Sequence, residues 1–147
     1  MDRRNLLSAA AVAFGGLFGA SAAKAAAPAG THDKSKVVYH LNELDKVSFV
    51  LGNIDNHYEG VGGPDKVSIV LVVHGPALKA FHAATAKPDL KEKLQKFSKL
   101  ELAACGNTIK AQNITVADLM PGFIKLDQGG VVRIAELQAQ GYVYLRP

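Results

Sequence analysis

The stretch Lys66-Val67-Ser68-Ile69-Val70-Leu71-Val72-Val73 runs without a break into His74-Gly75-Pro76. Five successive apolar residues follow Ser68. A strand with one wet face alternates apolar and polar side chains, whereas an uninterrupted run suits a strand buried on both faces, as parallel sheets covered by helices require. His74-Gly75-Pro76 closes that strand, and Pro76 is placed to open a helix in which Leu78, Phe81 and Ala84 share a face.

The neighbouring segments alternate in the same sense. Upstream, Val37 to Leu41 reads as a short apolar strand. An amphipathic helix follows, with Val47, Val50, Leu51, Ile54 and Tyr58 on one face, and it stops at the breakers Gly60-Val61-Gly62-Gly63-Pro64. Downstream, Lys87-Pro88-Asp89 separates a second helical segment carrying Leu90, Leu94 and Phe97, and Leu100 to Ala104 forms a third strand. Thr115-Val116-Ala117-Asp118 has the form of a capping box opening a brief helix that Pro121-Gly122 ends. Phe123 to Leu126 is a fourth strand, Gly129 to Gln140 a helix stopped by Gly141, and Tyr142 to Leu145 a fifth strand. Strands alternating with helices imply an α/β sandwich with a mainly parallel sheet of five strands. Periodicity does not order them.

At the other end, Arg3-Arg4 precedes a weakly hydrophobic Ala/Gly-rich stretch from Leu6 to Ala20, and Ala23-Lys24-Ala25 supplies small residues for processing. This predicts a signal peptide over residues 1–25, of twin-arginine type, then a linker over 26–36 and one domain over 37–147. A periplasmic location without a membrane span or lipid anchor follows from that reading. Removing Asp2, Arg3, Arg4 and Lys24 with the leader lowers the 17 basic and 13 acidic side chains to 14 and 12, and the formal charge from +4 to +2. Such a near-neutral surface argues against a nucleic-acid partner, which calls for a dense basic face.

In an open parallel sheet, chemistry gathers at the carboxyl ends of the strands. Three groups fall there: His40 near the end of the first strand, His74 after the second, and Cys105 after the third. Cys105 is the single cysteine of the chain, so an exported protein has no internal partner for it. The residue is then inert and buried, cross-linked to another molecule, or chemically used. Amides of Gly106, Asn107 and Thr108 are placed to form a nest favouring a thiolate, and His74 to act beside it as proton donor or cation. Gly75 would let a ligand or backbone approach. Asn107 and Thr108 would orient a sulfur-bearing partner or simply form a turn. A two-histidine, one-thiolate metal site is the weaker reading, because no short-spaced ligand pair accompanies these residues. No cofactor or metal is therefore assigned. Gly60 to Gly63 follows a helix and precedes a strand, the reverse of a phosphate loop.

Val37-Val38-Tyr39-His40-Leu41, Val73-His74-Gly75-Pro76, Ala104-Cys105-Gly106-Asn107-Thr108, and Gly129 to Gln138 through Gly141-Tyr142 together resemble the DsrE/DsrF-like family, in an exported, uncharacterised branch. The resemblance covers the chain from about Lys36 to Pro147 and implies a three-layer α/β fold, commonly assembled into homotrimers or hexamers. It also implies a sulfur carrier or sulfurtransferase in which Cys105 accepts sulfane sulfur as a persulfide and passes it to an acceptor thiol. The catalytic pair would be Cys105 and His74, with His40, Gly75, Gly106, Asn107 and Thr108 binding substrate. The well-understood relays of that family are cytoplasmic, whereas this chain carries an export leader. The alternative is a non-catalytic oligomeric module whose cleft holds a small ligand or metal ion.

Overall fold

The computed structural model describes residues 34–147, so the predicted leader, and all but the last three residues of the predicted linker, lie outside the described residues. The first strand, β1 (Ser35–Leu41), starts two residues before the expected boundary. It is followed by a short 3-10 turn and by helix α1 (Val47–Val61), which buries the five predicted residues. Gly62, at φ +87°, ends α1, with Gly62 N–H donating to Glu59 O and Gly63 N–H to Tyr58 O. Glycine takes this left-handed backbone without the Cβ penalty, which is why the breaker cluster works as a stop.

Strand β2 (Val67–Val73) is buried at every position but Ser68. The segment opened by Pro76 is a 3-10 helix over Gly75–Phe81, not the longer α-helix the spacing suggested, and Ala84 lies beyond it. Tertiary pairing ends it. His82 bridges Leu119, Met120 N–H donates to Phe81 O, and Ala83 N–H to Asp118 O. Helix α2 (Pro88–Lys96) has Pro88 in its first turn, and strand β3 (Glu101–Cys105) follows.

One element was not foreseen. Gly106-Asn107-Thr108, expected as a turn, opens helix α3 (Gly106–Ala111) directly from the last residue of β3. Gly106 permits this because a Cβ there would lie 2.6 Å from Leu126 O. The Thr115–Asp118 capping box is present, ahead of strand β4 (Phe123–Leu126). Helix α4 (Gly130–Ala139) and strand β5 (Val143–Leu145) complete the chain.

All four ladders are parallel, in the order β4-β3-β2-β1-β5. The two faces are covered unequally. Val37, Tyr39, Leu41, Ile69, Leu71 and Ala104 point into the larger core, shared with α1, the Gly75–Phe81 turn, α2 and α3. Val38, Val70, Val72 and Ala103 point the other way, where Ile134 and Leu137 of α4 close a smaller core. Among the described residues the result is three layers, with α4 alone as the third, and this asymmetry positions the site.

Candidate functional site

Side chains alternate along a strand, so parity continues past each strand's last core residue. His40 follows Val38, His74 follows Val72, and Cys105 follows Ala103. All three therefore face α4 at the carboxyl edge of the sheet. Tyr144 on β5 is in register with Val38 and joins the same row. In sheet order the row reads Tyr144, His40, His74, Cys105 across β5, β1, β2 and β3.

A cleft of ≈ 560 Å³ opens at this edge. Its lining includes His74, Gly75, Cys105, Asn107 and Thr108 of the predicted set, together with Lys79, Gln112, Gln128, Gly129, Gly130, Val131 and Val132. His40 and Gly106 are not on its wall. His40 stands behind His74 along the row, and Gly106 is spent on the close approach to Leu126. Among the described residues no carboxylate lines the cleft, and Lys79 is its one formal charge apart from what Cys105 carries.

Cys105 is 6% exposed and occupies the N-cap position of α3. Burial alone would push its thiol up. Against that act the N–H of Gly130, the N–H and hydroxyl of Thr108, and the N–H of Asn107, and together they hold the thiol below its ordinary value. The donors come from the first turns of two helices, where unpaired N–H groups and the helix dipole favour an anion. Of the expected nest, Asn107 and Thr108 help lower the thiol, and Gly130 from α4 acts with them.

Gly130 was missed because the sequence shows only a Gly129-Gly130 pair ahead of a helical pattern. The pair was the available signal. Gly129, at φ +95°, turns the chain from β4 onto the far face, and a Cβ on Gly130 would meet Val72 Cγ1 at 3.2 Å and Cys105 Cβ at 3.4 Å. Backbone reaches the sulfur only because neither residue has a side chain.

Thr108 also ties the cleft's opposite wall. Its hydroxyl accepts the Gly75 N–H at 2.9 Å, while Gln112 Nε2 donates to Gly75 O at 2.9 Å and Gln112 Oε1 meets His82 Nε2 at 2.9 Å. Gly75, at φ +58°, is thereby held at both backbone groups.

His40 and His74 contact each other through their Nε2 atoms. The rings are nearly coplanar, at 16°, with centroids 4.7 Å apart. Contact through ring nitrogens in nearly one plane is an edge-to-edge hydrogen bond rather than face stacking. His40 Nδ1 is also 2.7 Å from Tyr144 Oη. Burial, then the neighbouring His74, then Arg146 lower His40 to about 4, and burial followed by Arg146 lowers His74. Both shifts favour the neutral rings, which suits His74 to the role of a neutral donor or acceptor better than to that of a cation. Among the described residues no group of three or more His, Cys, Asp or Glu side chains has metal-holding geometry.

Solved structures have a similar fold. The protein of unknown function MTH1491 from Methanobacterium thermoautotrophicum superposes with a TM-score of 0.67 at 21% identity, over 77% of this chain and 99% of that one. The ychN protein from E. coli gives 0.62 at 15% identity, with the same coverage. The chain shares the fold of these two proteins. At these identities the likeness extends to the fold. No family model and no curated protein matches the sequence.

Proposed function

We propose that the protein is a sulfur carrier that moves sulfane sulfur through a persulfide on Cys105. The observation that carries the proposal is the thiol itself, on a cleft wall, held below its ordinary pKa by donors from the first turns of α3 and α4. The thiolate is the attacking form in sulfur exchange. With thiosulfate as donor, Cys105 Sγ bonds to the terminal sulfur. The donor's S–S bond breaks with its electron pair on departing sulfite, leaving Cys105–S–S⁻. An acceptor thiol then takes the outer sulfur and returns Cys105 to thiolate. In this reading the Arg3-Arg4 leader delivers the chain to the periplasm, where it works as a trimer or hexamer.

Intact mass of the purified protein after exposure to thiosulfate, polysulfide or a small-molecule persulfide tests this. One added sulfur is expected, removable by reductant and absent in Cys105→Ser. No adduct with any donor overturns the proposal.

The 6% exposure of Cys105 favours a second reading, a cleft that binds a small ligand with the cysteine as a wall residue. Alkylation separates the two. A native thiol untouched for hours by a small haloacetamide, while the unfolded chain reacts at once, selects the binding module.

A further inference from the structure

We infer that Tyr144, His40 and His74 form a proton wire that carries the proton of a thiol bound in the Cys105 cleft along the sheet edge to solvent at β5. The inference rests on the sulfur-transfer reading and adds to it the route of the proton. Tyr144 on β5, His40 on β1 and His74 just after β2 stand in sheet order, and the contacts between them are unbroken: Tyr144 Oη to His40 Nδ1, and His40 Nε2 to His74 Nε2. One end opens on the cleft, whose wall His74 forms, and the other on water, where Tyr144 is 37% exposed.

Neutral imidazole has one donor and one acceptor nitrogen, so the chain has two self-consistent hydrogen-bond patterns. In the first, His74 Nε2–H donates to His40 Nε2 and His40 Nδ1–H donates to Tyr144 Oη, leaving His74 Nδ1 as an acceptor toward the cleft. In the second, every bond is reversed. Passing from one to the other moves one proton from end to end.

Once Cys105–S–S⁻ has taken a proton from solvent, an acceptor R–SH attacks the outer sulfur of Cys105–S–SH. Its S–H proton goes to His74 Nδ1, the Nε2 proton of His74 to His40, the Nδ1 proton of His40 to Tyr144, and the Tyr144 hydroxyl proton to water. The new bond is R–S–SH, the broken S–S bond leaves its pair on Cys105, and the products are R–S–SH, Cys105 thiolate and a proton in bulk. Neither ring holds a charge at the end of the step, which suits two rings whose charged forms are disfavoured. The charged or titratable groups facing the wire are Cys105 from β3 and Arg146 after β5. Arg146 is engaged by Glu43 at 2.8 Å and Asn42 at 3.1 Å.

The test loads Cys105 with sulfur from thiosulfate and then follows discharge to 2-mercaptoethanol between pH 6 and 9. Wild type is expected to discharge with a shallow pH profile and a solvent deuterium isotope effect. His40→Asn is expected to slow discharge roughly 10²-fold and Tyr144→Phe about tenfold, each with a rate that climbs with pH as thiolate replaces the lost base. Tyr142→Phe, outside the row, is expected to match wild type. Identical discharge rates and pH profiles in wild type and both wire variants overturn the wire and leave sulfur loading intact. Absence of loading in wild type overturns the sulfur-transfer reading instead. The wire is then judged by the nitrogen-15 shifts of the two rings: Tyr144→Phe must move both, and movement at His40 alone overturns it.

Discussion

The backbone N–H of Gly130 helps hold the Cys105 thiol below its ordinary pKa, and a Cβ at Gly130 would stand 3.4 Å from the Cys105 Cβ. A donor on the far-face helix thus sets the character of a thiol on the central sheet. The contact depends on hydrogen standing where any other residue has carbon.

Gly130→Ala is therefore expected to raise the Cys105 pKa. The added methyl meets Val72 Cγ1 at 3.2 Å, so the first turn of α4 must lift by a few tenths of an ångström and lengthen its hydrogen bond to sulfur. A raised pKa lowers the thiolate fraction at pH 7. The pH midpoint of alkylation measures it. An unchanged midpoint would show that α3 alone sets the thiol.

Gly106→Ala tests the close approach of α3 to β4. Alanine is the better helix former by about 1 kcal/mol, but its Cβ would lie 2.6 Å from the backbone oxygen of Leu126. Forced overpacking costs about 1–3 kcal/mol, so the clash is expected to win. The urea midpoint should fall with little change in slope. A midpoint at or above wild type refutes the steric argument.

Acid should destabilise the fold through the histidine row. His40 is held at about 4 against an ordinary 6.5, with burial the main cause. Between those values the unfolded chain binds the proton and the folded chain does not, so stability rises with pH across the window. The contribution is complete above pH 6.5 and is lost as pH falls toward 4. Urea titrations from pH 4 to 7 should be steeper for wild type than for His40→Gln. Parallel curves would mean that His40 titrates normally.

Tyr58 lies in the larger core with 6% exposure, and its hydroxyl is buried without a hydrogen-bond partner. An unmet buried polar group costs about 1–3 kcal/mol. Tyr58→Phe removes the group and keeps the ring, including its contact with Phe97 at 5.9 Å. Thermal unfolding should occur at the same or a higher temperature. A clear drop would reveal a partner for the hydroxyl, such as an ordered water.

The strands were legible because burial on two faces leaves a continuous apolar run, as in Ile69 to Val73. Helix α1 was legible because burial on one face leaves the spacing of Val47, Val50, Leu51, Ile54 and Tyr58. The two helical misreadings have a common origin. Gly75–Phe81 and Gly106–Ala111 are short, so periodicity has too few turns to register. What shapes them is remote: the His82–Leu119 bridge in one case, the oxygen of Leu126 in the other.

The candidate site divides along the same line. His40, His74 and Cys105 could be assigned to one edge, since local pattern locates strand ends and a parallel sheet aligns them. Apolar spacing, glycine breakers and a single cysteine were enough for the α/β class, the five strands and the residues that carry chemistry. Their neighbours were not accessible that way. Strand order put Tyr144 beside His40, and the crossing of α4 over the far face brought Gly130 to the sulfur. Both are contacts between residues distant in the chain, set by how sheet and helix pack, and no local periodicity encodes them.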